Sequence, residues 1–298
     1  MTSRGGRRLA RAARAERVDR GLGIREEVEF FGAPERLFGC RHLPMDGPAA
    51  GAPLAVVICP PVLADFGANY QREVRLARRL AAAGLPVQRF HPRGTGHSDG
   101  DRADLSFAAL VDDCRAAVER LRETCGPAAV ALVGSRLSAL AAAVADGEGG
   151  SPLVMWDPVP SLRSYLRGGL RARAVHRVGK VGAAPEGPDD QRARTGYVDV
   201  LGIPVGPALL DAGDVPVLGE AVAGGPRPLL LVQFAPGELT PPYAAAAAAW
   251  RERAIDVTAA VCPCDESWWF IPDRRAPADA VLDTTAAWLA ARAGMTAA

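Results

Sequence analysis

The stretch that most constrains the fold is Val130-Ala131-Leu132-Val133-Gly134-Ser135-Arg136-Leu137-Ser138-Ala139-Leu140-Ala141-Ala142. Four apolar residues run into a glycine, two residues turn the chain, and small and apolar residues then follow at helical density. A short apolar run bounded by glycine reads as a strand buried on both faces, here turning sharply into a helix. Strands buried on both faces belong to parallel sheets covered by helices.

The remainder of the chain keeps the same rhythm. Residues 27–32 and 36–41 predict two short strands around a Gly-Ala-Pro turn, and 54–59 a buried strand that runs into Pro60-Pro61. Apolar spacing predicts a helix over 69–83, stopped by Gly84, and a long amphipathic helix over 105–125 between Ser106 and Gly126. Strands follow at 86–91, 153–156, 228–234 and 255–261, with helices at 241–253 and about 277–293. Alternating strands and helices predict a mostly parallel sheet with helices on both faces. Ligands in such sheets sit beyond the carboxyl ends of the strands. Residues 60–61, 91–97, 135–136, 157, 234–238 and 262–269 are therefore the ones to inspect.

Three regions stand apart. Residues 1–24 form an arginine- and alanine-rich segment that reads as a solvated tail. Residues 25–158 and 227–298 carry the strand–helix core. Residues 159–226 lose the rhythm, hold two helix-like pieces near 160–178 and 206–221, and read as an inserted cap.

Composition excludes several classes. The net charge of +1 gives no general pull toward nucleic acid. No apolar run is long enough to span a bilayer, and no secretory leader pattern opens the chain, so a cytoplasmic protein is expected. The six cysteines, at 40, 59, 114, 125, 262 and 264, form no CxxC pair and have no histidine at ligand spacing. They read as free thiols, and no metal or cofactor is expected.

The 130–142 stretch resembles the nucleophile elbow of the α/β-hydrolases, G-x-S-x-G, with Arg136 at the serine position and Ser138 where the last glycine stands. Arg93-Gly94-Thr95-Gly96-His97-Ser98-Asp99-Gly100 resembles a loop common after the fourth strand of that fold. Within the superfamily the chain is most similar to hydrolase-like proteins associated with exosortase systems, and more loosely to the serine aminopeptidase group. The carrying motifs are G-x-R-L-x-A-L at 134–140, W-D-P at 156–158, S-Y-L-R at 164–167, G-Y-x-x-x-x-G at 196–202 and E-x-x-W at 266–269. The resemblance implies an α/β-hydrolase fold over residues 25–293.

It also implies a nucleophile at the elbow, an acid after a later strand and a histidine after the last strand. This sequence departs from that set. An arginine yields no free base to attack an acyl group. The only histidines are His42, His91, His97 and His176, all before the last strand. What stands in the three places is Arg136, Asp157 and Glu266. Such a charge cluster can be a salt bridge that locks the site. Its other reading is a preformed cation for a ligand carboxylate or phosphate. Ser135 lies one residue before the tip and points away from the cleft, and Ser138 suits close helix packing; both remain weak nucleophile candidates. A strand-end thiol, Cys59, Cys262 or Cys264, is a third option if His91 or His97 reaches it. Pro60-Pro61 occupies the segment that supplies an oxyanion-hole amide, and proline has none, which leaves Val62 and Leu137 as donors.

The expected cap contains Arg163, Arg167, Arg171, Arg173, His176, Arg177 and Lys180 interleaved with apolar residues, a basic amphipathic helix. It reads as a solvated face, or as a surface for an acidic ligand or a partner such as a phosphopantetheine carrier. Trp156, Tyr165, Tyr197, Trp268, Trp269 and Phe270 are candidates to line an apolar pocket beneath it. Arg136, Val62, His91, His97, Trp156 and Trp268 are the candidate ligand contacts. Two functions compete. One is a hydrolase-fold protein without hydrolytic chemistry that binds a small acyl or carboxylate ligand or assists a partner enzyme. The other is an esterase- or thioesterase-like acyl hydrolase with a relocated catalytic set.

Overall fold

The computed structural model describes residues 15–45, 51–147, 149–181, 186–223, 225–263 and 279–295, with backbone only for 176–181. A nine-stranded sheet runs through it. Its first three strands are β1 (Ala15–Asp19), β2 (Ile24–Phe31) and β3 (Leu37–Pro44), which pair antiparallel in sequence. The apolar runs supply the rest: β4 (Ala55–Cys59), β5 (Val87–Phe90), β6 (Val130–Ser135) and β7 (Leu153–Trp156). After an excursion of the chain come β10 (Pro228–Gln233) and β11 (Asp256–Val261). The spatial order is β1-β2-β3-β5-β4-β6-β7-β10-β11, and every pairing from β5 to β11 is parallel.

Side chains alternate across this sheet, as a pleated strand requires. Ala55, Val57 and Cys59 of β4 face one core and Val56 and Ile58 the other; in β6 Val130 and Leu132 oppose Ala131 and Val133. On one face lie α2 (Phe107–Cys125), α3 (Leu137–Asp146) and α7 (Pro241–Glu252). On the other lie α1 (Ala64–Ala82) and α8 (Asp279–Arg292). The ends of α2 follow the local chemistry. Ser106 Oγ accepts from the Ala109 amide at 3.1 Å, and Gly126 closes the helix in the left-handed conformation.

Three expectations differ from the structure. The tail expected over 1–24 contains β1, whose exposed Ala-Glu-Arg-Val-Asp sequence has no apolar pattern and is held by pairing with β2. The helix expected from residue 69 begins at Ala64. The helix expected over 206–221 is only the short α6 (Pro207–Leu210) and a 3-10 turn at Leu218–Glu220, because Gly213 and Pro216 interrupt the segment.

The excursion between β7 and β10 begins with α4 (Leu162–Val181), then α5 (Pro188–Thr195) and an antiparallel hairpin of β8 (Val198–Val200) and β9 (Ile203–Val205), ahead of α6. Gly169 lets α4 lie against that hairpin: a Cβ there would stand 2.5 Å from Val200 Cγ1. No helix among the described residues is long and apolar enough to cross a membrane.

Candidate functional site

The turn from β6 into α3 is as sharp as its sequence implied. Arg136 takes φ 56°, ψ −124°, a conformation strained for any residue with a side chain. Gly134 makes the turn sterically feasible, since a Cβ there would meet Ala139 Cα at 2.6 Å. Three carboxyl ends converge at Arg136. The loop after β4 brings Leu63, at φ 57°, and Asp65 in the first turn of α1. β7 ends at Asp157, with φ 43°, and β10 delivers Phe234.

Arg136 is clasped by two carboxylates. Its Nη1 donates to Asp157 Oδ2 at 2.9 Å and to the Asp157 main-chain oxygen at 3.1 Å, and its Nε donates to Asp65 Oδ2 at 3.3 Å. Burial opposes the guanidinium charge, but Asp65 and Asp157 outweigh it and raise the Arg136 pKa further. Burial lifts the Asp65 carboxyl above the usual carboxylate range, against the pull of Arg136. Two phenols complete the shell. Tyr243 hydroxyl donates to the Pro158 carbonyl at 2.8 Å and lies 3.0 Å from Asp157 Oδ1. Tyr165 donates to the Val62 carbonyl at 3.1 Å, and its ring centroid lies 5.8 Å from Arg136 Cζ, within cation–π range. Burial raises both phenol pKa values well above normal, so both stay protonated donors.

A cavity of about 90 Å³ opens beside this shell, lined by Leu63, Asp65, Arg136, Tyr165, Leu166 and Val200 among others. It has room for a few waters and is well short of the roughly 300–1,000 Å³ of ordinary ligand pockets.

Est1E from Butyrivibrio proteoclasticus, in a structure with ferulic acid bound, is similar over 89% of this chain and 99% of its own, with a TM-score of 0.65 at 14% identity. The fold is that of the α/β-hydrolases. The Pyrococcus furiosus esterase PF2001 is similar over 96% of this chain and 98% of its own, TM-score 0.57, 14% identity. Brefeldin A esterase, described as a bacterial homologue of human hormone sensitive lipase, is similar over 91% and 78%, TM-score 0.53, 19% identity. At such identities the likeness speaks for the fold alone. No protein-family model matches the sequence, and no curated protein matches it.

On the α/β-hydrolase fold, the other expected site residues fall as follows. Asp157 meets Arg136; Glu266 lies outside the described residues, as do Cys264, Trp268, Trp269 and Phe270. Ser135 is fully buried under α1, where its Oγ accepts from Asn69 Nδ2 at 3.4 Å and Asn69 donates onward to Glu73 at 2.8 Å. Ser138 is also fully buried, and its Oγ has no hydrogen-bond partner among the described residues. Val62 is buried and meets the site through its carbonyl. His91 and His97, both in the loop after β5, stack 5.5 Å apart against Phe38 of β3, and β4 separates β5 from β6. Trp156, expected at a pocket, is instead a core residue: it is fully buried and its Nε1 donates to Thr285 Oγ1 of α8 at 2.9 Å. Tyr197 stands exposed ahead of β8.

The described cysteines, 40, 59, 114, 125 and 262, are free. Burial pushes the Cys262 thiol up, which opposes an activated thiolate there. Among the described residues no group of three His, Cys, Asp or Glu side chains could hold a metal ion. Sequence reasoning missed Asp65 and Tyr243. The acidic residue just after the Pro-Pro segment was the one available signal for the first; nothing local marked the second.

Proposed function

We propose that this chain is an α/β-hydrolase-fold protein with a degenerate triad, one that does not hydrolyse through its elbow and instead binds a small acyl or carboxylate ligand or assists a partner enzyme. The observation that carries the reading is Arg136 at the strained elbow tip, with its guanidinium engaged by Asp65 and Asp157. The elbow geometry is kept while its nucleophile is replaced by a group that cannot attack. No histidine of this sequence follows residue 176, so none stands after the last strand, where the resemblance places the general base. The small cavity beside Arg136 suits a site filled by its own ion pairs, which favours the assisting role over a ligand held at the elbow. Residues 159–226 act as a cap in this reading, with Tyr165 as the contact between cap and elbow. The motifs at 134–140, 156–158 and 266–269 support kinship with the hydrolase-like proteins of exosortase systems.

The experiment is labelling of the pure protein with a fluorophosphonate probe and a thiol-reactive probe, with adducts mapped by mass spectrometry. The expected result is no stoichiometric adduct while a control serine hydrolase labels fully. A single adduct on Ser135, Ser138 or a strand-end cysteine, lost on heat denaturation, would establish the acyl-hydrolase alternative.

A further inference from the structure

Between Leu162 and Val181, α4 carries five arginines, a lysine and a histidine and no acidic residue. Arg173 turns inward to Gln191, 3.1 Å away, and to Asp199. Arg163, Arg167 and Arg171 do the opposite. They follow one another at four-residue spacing and all three are exposed. None of them makes an ion pair or hydrogen bond with a described residue, in a chain that elsewhere pairs its arginines closely: Arg41 with Glu27, Arg78 with Glu26, Arg93 with Asp113, Arg192 with Asp211, Arg227 with Asp146. Asp189 and Asp190, exposed at the start of the neighbouring α5, do not reach the row. Like charges at i,i+4 cost a helix a few tenths of a kcal/mol per pair, so the row opposes the stability of the helix that bears it.

We propose that Arg163, Arg167 and Arg171 form a docking surface for a partner protein that presents carboxylates at the same four-residue spacing, an acidic helix laid along α4. Helical rise places successive arginines of the row about 6 Å apart, the step at which i,i+4 carboxylates of a second helix recur. Guanidinium forks match carboxylates bidentately. A bilayer fits less well, because interfacial helices bury bulky apolar residues on the lipid side. Here Leu162 and Leu166 are buried beneath α4, and Val175 is the one large apolar side chain exposed on its described part. Nucleic acid fits less well too: three cations on a chain of net charge +1 give a small phosphate footprint, with no exposed aromatic in the row for bases to stack on. The opposite face of α4 carries Tyr165 against Arg136, so a partner docked on the row presses on the helix that closes the cavity. The inference rests on the charge row alone and holds whether or not the elbow turns over substrate.

The test measures binding to the full-length protein by fluorescence anisotropy. The probes are an alanine-based helical peptide with glutamates at i, i+4 and i+8, vesicles containing phosphatidylserine, and a short DNA duplex. The expected result is peptide binding that weakens as salt is raised and falls about tenfold in R163A/R167A/R171A, while the control R122A on α2 leaves it unchanged. The reversed variant R163E/R167E/R171E is expected to bind the matching lysine peptide instead. The alanine variant should fold at least as well as the parent, since it removes like-charge repulsion, and its thermal transition checks this. Absence of peptide binding, binding indifferent to the row, or tighter binding of vesicles or duplex through the same residues would each overturn the proposal.

Discussion

Arg136 is joined to Asp157 twice by a single nitrogen, Nη1, at 2.9 Å to the carboxylate and 3.1 Å to the main-chain oxygen. Both residues hold positive φ, 56° and 43°. The pair therefore links two strained strand ends, β6 and β7, and the amide of Arg136 also donates to the Trp156 carbonyl at 3.0 Å. The strain of such backbone costs of order 1–3 kcal/mol per residue and persists only where the surroundings impose it.

Removing the guanidinium leaves Asp65 and Asp157 facing each other without a counter-charge. Breaking a buried pair costs roughly 3–5 kcal/mol, and the partial exposure of Arg136 puts Arg136→Ala near 3 kcal/mol. Glycine is at home in this backbone conformation, so Arg136→Gly should destabilise by about 1 kcal/mol less than Arg136→Ala. Adding Asp157→Asn to Arg136→Ala should recover part of the loss. Urea unfolding of the three variants checks this ordering. Equal stability of Arg136→Ala and the parent would mean the pair holds nothing together. A loss of stability with unchanged affinity for a ligand carboxylate would rule out Arg136 as that ligand's anchor.

The polar chain behind the elbow predicts a pH dependence. Glu73 is buried on the inner side of α1, and burial lifts its carboxyl to about 7, from an ordinary value of 4.5. In that range the unfolded chain gives up its proton before the folded one does. This contribution to stability is therefore whole below about pH 4.5, declines as pH rises toward 7, and is constant above that. The full span is about 3 kcal/mol. Glu73→Gln keeps an oxygen for Asn69 Nδ2 and should be more stable than the parent at pH 8, with the advantage vanishing near pH 4.5. His91 acts in the other direction, since burial and Arg89 hold it down to about 4 and cost stability as pH falls from 6.5. The difference between parent and variant, measured by denaturant unfolding across pH 4.5–8, isolates Glu73; a pH-independent difference would refute its titration in this window.

Gly169 sets the seat of α4 on the β8–β9 hairpin. Alanine there gains about 1 kcal/mol of helix propensity but adds a methyl 2.5 Å from Val200 Cγ1, and overpacking costs about 1–3 kcal/mol. The clash should win. Gly169→Ala is expected to loosen α4, seen as faster limited proteolysis within 162–205 with little change in the rest of the fold. Gly168→Ala, one residue away with open space around its Cβ, should slow proteolysis instead.

The contrast between what the sequence showed and what it hid follows the range of the interactions. The parallel strands were legible because each is a short apolar run buried on both faces. The Arg136–Asp157 pair was legible because neighbouring strands put their carboxyl ends side by side. Asp65 was hidden because it depends on α1 starting at Ala64, where Leu63 at φ 57° and Gly67 give no helical signal and no side chain caps the end. Tyr243 was hidden because its partner lies 86 positions away in sequence. The β8–β9 hairpin had a local signature in Val-Asp-Val-Leu-Gly-Ile-Pro-Val, where Leu201 and Gly202 both take positive φ, but arginine-rich flanks masked the alternation. Trp156 misled because its place at a strand end says nothing of which face it takes; the bond to Thr285 turns it into the α8 core.

The elbow itself offers the sharpest trial of the functional reading. Arg136→Ser restores a hydroxyl at the tip, in the backbone geometry that holds it, and frees Asp157 to face it. A serine still needs a base to take its proton, and positioned bases contribute about 10²–10⁴-fold to such reactions. His91 and His97 sit in the loop after β5, a strand that β4 separates from β6, and neither contacts Arg136; the sequence beyond residue 176 has no histidine. Asp157 and Asp65 are the side chains at hand to take it, and among the described residues neither is followed by a partner placed to pass the proton on as a histidine does. Arg136→Ser is therefore expected to hydrolyse a p-nitrophenyl ester within about tenfold of the parent's background, and to label slowly with a fluorophosphonate. A rise of several hundredfold, abolished by His91→Gln or His97→Gln, would show that a histidine reaches the elbow in solution and that the chain retains the means of acyl hydrolysis.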